Sequence, residues 1–166
     1  MTDGVPALAG PPDAPGPGPG RGEVRLWLRL LTCTTTIEAE IRRRLRREFG
    51  VTLPRFDVMA ALDRAPEGLT LSEVSKRMMV SNGNLTGLVE RLVVSGHVHR
   101  RRSRTDRRAQ VISLTETGRA EFRVMARAHE GWIADMLADL PGPRIAELTD
   151  WLGRAKASAR KVATDD

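Results

Sequence analysis

The chain contains a single cysteine, Cys33, and no tyrosine, and only 4% of its residues are aromatic. One thiol cannot form a disulfide within the chain, so the sequence fits a reducing compartment and we expect a cytoplasmic protein. No apolar run approaches the roughly 20 residues that a helix needs to cross a bilayer, and no secretory signal is visible. Disulfide-stabilised and membrane-spanning classes are therefore excluded, and no membrane partner is expected.

Sequence signatures of catalysis are also missing. The chain shows no nucleophile elbow, Gly-rich phosphate loop, zinc-ligand spacing or paired catalytic carboxylates. His97 and His99 alternate in a predicted strand, which would place both on one face, but no third metal ligand is evident nearby. Contact with backbone phosphates is the simpler interpretation of this pair. We therefore expect no enzyme, no metal site and no cofactor.

Basic residues are what the chain has in excess. Its 27 lysines and arginines outnumber 21 acidic residues, giving a net charge of +6 over 166 residues. That length suits one domain, and a basic balance favours anionic partners such as nucleic acid, although the net charge alone is a weak signal. Residues 1–22 hold six prolines and six glycines, which predicts a disordered tail before a single domain at 23–163.

Apolar spacing along that domain predicts about six helices and one β-hairpin. A long first helix covers about 23–49, and Thr52 and Pro54 begin a second. Thr70 and Glu73 form a capping box for a third helix. A fourth helix follows, then strands at 97–102 and 110–114, and two final helices separated by Pro141-Gly142-Pro143. The expected fold class is mainly α (α+β), with a two-stranded hairpin.

The third and fourth helices have the arrangement of a helix-turn-helix, whose second helix reads base edges in the major groove. The fourth helix has an apolar face for the core, formed by Leu85, Leu88, Val89 and Leu92. Small and hydrogen-bonding residues occupy its other faces, and Asn and Arg can pair with adenine and guanine. The predicted DNA-binding residues of this helix are Ser81, Asn82, Gly83, Asn84, Thr86, Gly87 and Arg91. A solvated face with chance glycines is the alternative.

The hairpin that follows strengthens the DNA-binding interpretation. Its strand end and loop carry six arginines within the nine residues 100–108, against one acidic residue. A basic loop beside a recognition helix is suited to contact phosphates and the minor groove. The loop residues predicted to contact DNA are Arg104, Asp106, Arg107 and Arg108. A flexible, solvated charge run is the alternative.

Residues 53–118 resemble the MarR family of winged-helix repressors. The similarity lies in LPRFDVMAAL, in GLTLSEVSKRMMVSNGNLTGLVERLVVSGHVHR and in the wing sequence TDRRAQVISLTETG, and it extends over essentially 23–163. The resemblance implies a DNA-binding lobe at 53–118 and dimerisation helices at 23–49 and 116–163. It implies a homodimer that binds double-stranded DNA at a palindromic operator.

Single residues of the family pattern also match. The resemblance implies that Arg108 enters the minor groove, that Asp106 orients it, and that the segment from Ser81 to Arg91 is the recognition helix. The segments SNGNLTGLVERL and MARAHEGWI are similar to a branch controlling the breakdown of aromatic acids, including regulators that sense hydroxycinnamoyl-CoA thioesters. This implies a repressor that an aromatic acid or its CoA thioester releases from DNA.

Helix faces and the resemblance together suggest a pocket for that inducer. Its predicted lining residues are Thr32, Thr35, Thr36, Phe56, Met59, His129 and Trp132. The arginines of the first helix could meet CoA phosphates, but a solvated face or general attraction to DNA is the favoured interpretation.

Other functions remain open. Cys33 could make the protein a thiol-based redox sensor, but the family's hydroperoxide-sensing branch activates its thiol with tyrosines, which this chain lacks. A buried, inert thiol is the default expectation. An architectural DNA-binding protein without a ligand, and an interaction module that binds no DNA, are the remaining alternatives.

Overall fold

The computed structural model describes residues 20–78, 82–102 and 110–164, except the side chains of 82–84 and 164. Six helices and three short strands confirm the mainly α fold class. The elements are α1 Arg21–Phe49, α2 Leu53–Asp63, β1 Leu69–Thr70, α3 Leu71–Met78, α4 Asn82–Val94, β2 Val98–Arg102, β3 Gln110–Leu114, α5 Glu116–Met136 and α6 Gly142–Thr164. The first helix begins at Arg21 rather than residue 23, and residues 1–19 of the predicted tail lie outside the described chain.

The predicted hairpin is present, but the sheet that contains it has three strands. Strands β2 and β3 pair antiparallel, with Val98 opposite Leu114 and Arg102 opposite Gln110. The short strand β1 adds to the other edge of β3, where Leu69 pairs with Ile112. The two-stranded hairpin is confirmed. The additional strand β1 was not predicted, because a two-residue strand shows no alternation and Thr70 was interpreted only as a helix cap.

The chain divides into two compact units, Met1–Glu40 and Ile41–Asp166. The described part of the first unit is the N-terminal portion of α1. Its Thr32, Thr35 and Thr36 are exposed, and each hydroxyl donates to the backbone carbonyl four residues earlier, at 2.9, 2.8 and 2.8 Å. Cys33 is exposed among these threonines, so the expectation of a buried thiol was wrong.

The second unit contains the core. Helical and strand periodicity bring its apolar side chains together, and Phe56 packs on Phe122 with ring centroids 5.4 Å apart. Fully burying one such side chain contributes about 1.5–3 kcal/mol relative to leaving it exposed. The largest fully buried side chains are Leu45, Val58, Met59, Leu62, Val74, Leu85, Val89, Leu92, Val98 and Ile112.

The start of α3 confirms the predicted capping box. The backbone N–H and hydroxyl of Thr70 donate to Oε2 of Glu73 at 2.7 and 2.8 Å, and the N–H of Glu73 donates back to the Thr70 hydroxyl at 3.3 Å. The backbone N–H, followed by the hydroxyl, lowers the pKa of Glu73 because both bonds favour the carboxylate. The charged form therefore supports this helix start, which is also the start of the helix-turn-helix.

The last two helices differ from the prediction in burial and length. Helix α5 ends at Met136 instead of continuing to Leu140, which is exposed. Every residue of α6 up to position 163 is exposed, including its predicted apolar stripe. Along the part of the chain that the structure describes, no helix is both long enough and apolar enough to cross a membrane.

Candidate nucleic-acid interface

Helices α3 and α4 form the predicted helix-turn-helix, with residues 79–81 between them outside the described chain. Val74 of α3 and Leu85, Val89 and Leu92 of α4 are buried in the common core. This burial determines which face of α4 remains outside.

Ser81, the first predicted DNA-binding residue, is not among the described residues. Asn82, Gly83 and Asn84 form the first turn of α4, and their side chains are not described.

The outer face of α4 carries Gly87 and Arg91. Arg91 is exposed, and Gly87 is half-buried. A Cβ atom added at Gly87 would meet only Nη1 of Arg91, at an ordinary contact distance of 3.7 Å. The packing of this chain therefore does not require glycine at that position. Close approach by something outside the chain is a physical reason for it.

The base of the hairpin presents further basic residues. Arg101 and Arg102 are exposed on β2, and the Arg101 guanidinium donates to the backbone carbonyl of Glu67. The strand pairing ends at Arg102 and Gln110. The predicted DNA contacts Arg104, Asp106, Arg107 and Arg108 fall between these ends, outside the described residues, and remain predictions.

His97 and His99 do not form a joint surface. His99 is exposed, but His97 is buried directly before β2. Nε2 of His97 lies 2.6 Å from Oε2 of Glu121, while Nδ1 lies 2.7 Å from Oγ of Ser95 and 3.0 Å from a guanidinium nitrogen of Arg55. The expectation that both histidines contact phosphates was wrong for His97, because Arg55 of α2, Glu121 of α5 and Ser95 after α4 enclose it.

The same junction explains the motif from Leu114 to Gly118. Thr115 caps α5 by accepting a hydrogen bond from the N–H of Gly118 at 2.9 Å, and its hydroxyl donates to the carbonyl of Gly96 at 2.7 Å. A Cβ at Gly118 would lie 2.1 Å from the carbonyl oxygen of His97. The first turn of α5 thus lies directly against the backbone that leaves α4. The sequence predicts that Thr115 caps this helix, which the hydrogen bond from Gly118 confirms, but it does not predict the close contact of Gly118 with His97.

Sequence reasoning missed a basic groove beside α4. The end of α1 and the start of α2 form its other walls. None of its lining residues is acidic, and three are arginines. The residues are Arg42, Arg46, Thr52, Leu53, Pro54, Gly87, Leu88 and Arg91. The Arg-rich pattern of α1 was visible in the sequence, but its position beside α4 required the tertiary structure.

The predicted inducer residues of the second unit lie within or beside its core. Phe56, Met59 and Trp132 are buried, and Met59 has no exposed surface. His129 is half-buried, with its ring centroid 5.0 Å from that of Phe56, and burial lowers its pKa. The neutral imidazole is therefore favoured among apolar neighbours. The three predicted threonines belong to the first unit, so a pocket shared by both sets remains a prediction.

Known proteins similar to this chain are regulators. The family model for the MarR family matches residues 49–109. Transcriptional activatory protein BadR of Rhodopseudomonas palustris is 33% identical over 98 residues, or 58% of this chain and 51% of that protein. The regulator TtmR of Methylorubrum extorquens is 40% identical over 77 residues, or 46% of this chain and 39% of that protein. The alignments therefore span about half or less of these curated relatives.

Solved structures extend the comparison beyond the central match. Streptococcus pneumoniae FabT in complex with DNA has a TM-score of 0.70 at 23% identity, covering 84% of this chain and 99% of that one, which shows the shared fold. A MarR family transcriptional regulator from Silicibacter pomeroyi also has a TM-score of 0.70, with 30% identity over 84% of this chain and 96% of that one. By the family model and this extended identity, the chain belongs to the MarR family of transcriptional regulators rather than to a family of enzymes.

Proposed function

We propose that this chain regulates transcription by binding a palindromic operator in double-stranded DNA as a homodimer. The observation that carries the proposal is helix α4, whose buried Leu85 and Val89 leave Gly87 and Arg91 on the outside, next to a basic hairpin. A helix of this kind fits the major groove, and the hairpin is suited to the flanking phosphates and minor groove. FabT, which shares this fold, has been solved with DNA.

Exposed apolar residues support the homodimer. Leu148, Trp151 and Leu152 lie three to four residues apart on α6 and are 46%, 58% and 47% exposed. Contiguous apolar surface of this kind marks an association site, and α6 buries none of it within one chain. Two copies would supply two recognition helices, which must lie about 34–36 Å apart to enter successive major grooves.

Gly87→Ala is expected to separate stability from DNA binding. Alanine in a helix is favoured over glycine by about 1 kcal/mol, and the site has room for the added methyl group, so the free energy of unfolding should rise. The same methyl group would stand on the face proposed to meet base edges, so we expect about tenfold weaker operator binding. Thermal denaturation and fluorescence anisotropy with labelled operator DNA measure the two effects.

Gly131→Ala on α5 is the matched control, because an added Cβ there meets nothing within 4 Å and the residue is exposed. It should gain similar stability and retain the parent's affinity for DNA. Unchanged operator binding by Gly87→Ala would show that α4 does not approach DNA through this face.

The finer proposal is that the protein is a repressor, released from its operator by a small aromatic acid or its CoA thioester. His129, kept neutral beside Phe56, supports it within the second unit: one polar group among aromatic walls is typical of small-molecule sites. The buried Phe56 and Trp132 would have to separate to admit a ligand. Binding would then shift the population toward an opened state with lower operator affinity.

Titration of the protein–operator complex with benzoate, cinnamate and their CoA thioesters tests this proposal. At least one compound should lower operator affinity by about tenfold or more, which requires that it bind the released state correspondingly better. Acetate and acetyl-CoA are the controls that lack the ring, and Cys33→Ser should respond as the parent does. If every intact aromatic compound leaves affinity unchanged, the architectural alternative without a ligand is favoured.

A further inference from the structure

We propose that the basic groove binds the phosphate backbone of the DNA duplex that α4 contacts. This inference rests on the proposed DNA binding and adds a site on α1, a helix whose sequence resemblance implies only dimerisation. The walls of the groove are the end of α1, the first turn of α2 and the outer side of α4. Arg42 and Arg46 come from α1, Thr52 from the start of α2, and Gly87 and Arg91 from α4.

Charge is the first reason for this assignment. Arg42 and Arg46 are four residues apart in α1, so they lie on the same side of the helix, and Arg91 lines the groove from α4. Guanidinium groups bind phosphate oxygens through paired hydrogen bonds, and none of the lining residues is acidic.

The start of α2 provides a second, independent attraction for phosphate. This helix has 11 residues, and the Thr52 side chain at its N-cap makes no capping hydrogen bond. The first turn of a helix carries backbone N–H groups without intrahelical partners and the positive end of the helix dipole. Both favour an anion at this end of the groove, where the Thr52 hydroxyl can also donate.

Continuity with α4 indicates DNA rather than a small phosphorylated molecule. Gly87 and Arg91 line the groove and also belong to the outer face proposed to enter the major groove. A backbone phosphate held here would therefore belong to the same duplex. The basic surface also continues along α1, where a second depression is lined by Arg42, Arg43, Arg46 and Arg47. A strand with successive phosphates fits such an extended surface better than one isolated anion does.

The test is the full-length Arg42→Gln/Arg46→Gln double variant. Anisotropy titrations at several KCl concentrations should show about two fewer released counterions per monomer, and about tenfold weaker binding near 0.1 M salt. Operator and unrelated DNA should lose affinity equally, because phosphate contacts carry no direct sequence information. Arg123→Gln/Arg127→Gln is the matched control, since it removes two exposed arginines at the same spacing from α5. Circular dichroism melting verifies that both variants fold.

Each result has one interpretation. A parent protein that binds no DNA defeats the proposed function and this inference with it. If the parent binds but the double variant keeps its affinity and salt dependence, only the groove assignment fails. It also fails if the double variant loses preference for the operator, because the arginines would then read bases. If calorimetry shows that the parent binds pyrophosphate, and the double variant binds DNA as the parent does, the groove is assigned to a small phosphorylated molecule.

Discussion

Gly118→Ala is expected to lower the free energy of unfolding by about 3 kcal/mol, the upper end of the usual cost of overpacking. The added Cβ would lie 2.1 Å from the His97 carbonyl oxygen and 3.0 Å from its Cα, so a backbone segment would have to move rather than a flexible side chain. The N–H of His97 is bonded to the carbonyl of Leu92 at 2.9 Å, so this movement would reach the end of α4. Denaturant unfolding measures the loss, and operator binding should weaken in parallel.

Gly131→Ala is again the appropriate control, because it makes the same chemical change in α5 without a neighbour within 4 Å. It should stabilise the protein by about 1 kcal/mol, as expected for an exposed helical position. Equal stability of the two variants would mean that α5 can move away from His97 without cost. The proposed rigid junction between α4 and α5 would then be wrong.

The double variant Leu148→Glu/Leu152→Glu is expected to be monomeric and to bind operator DNA at least about 100-fold more weakly. Both leucines lie on the exposed apolar stripe of α6, and burying two carboxylates in a dimer interface without partners is unfavourable. A monomer would read one half-site and lose the effective concentration that links the second recognition helix to its own half-site. Analytical ultracentrifugation and anisotropy measure assembly and binding on the same samples.

Ala157→Glu is the control for charge on α6. Helical periodicity places Ala157 on the side opposite the leucine stripe, and it is exposed. This variant should remain dimeric and bind as the parent does. If the leucine variant also remains dimeric, the exposed stripe serves another purpose and the interface lies elsewhere.

Local patterns account for what was predicted correctly. The capping box at Thr70, the helical face of Leu85 and Val89, and the strand pairing around Val98 all depend on residues close together in sequence or on simple alternation. Their energetic effects therefore appear directly in the order of residue types. The extent of α5 was overestimated because Leu140 continues the apolar spacing, although the helix ends at Met136.

Buried polar groups were predicted less well. His97 was assigned to a surface because alternation in a strand says nothing about what covers it, and Glu121 and Arg55 are distant in sequence. Phe56 and Trp132, predicted to line a ligand pocket, are both buried in the core, and their role in ligand binding stays a prediction. An apolar helical face has the same sequence pattern whether it lines a cavity or fills one.

The sequence by itself determined the helices, the hairpin, the resemblance to the family and the outward position of Arg91 on α4. Only the tertiary structure decided that β1 joins the sheet, that Gly118 lies against His97, and that Arg42 and Arg46 share a groove with Arg91. The physical reason is the range of the interactions. Helix propensity, caps and amphipathicity act over a few residues, whereas close backbone approach and shared electrostatic surfaces depend on packing between segments distant along the chain.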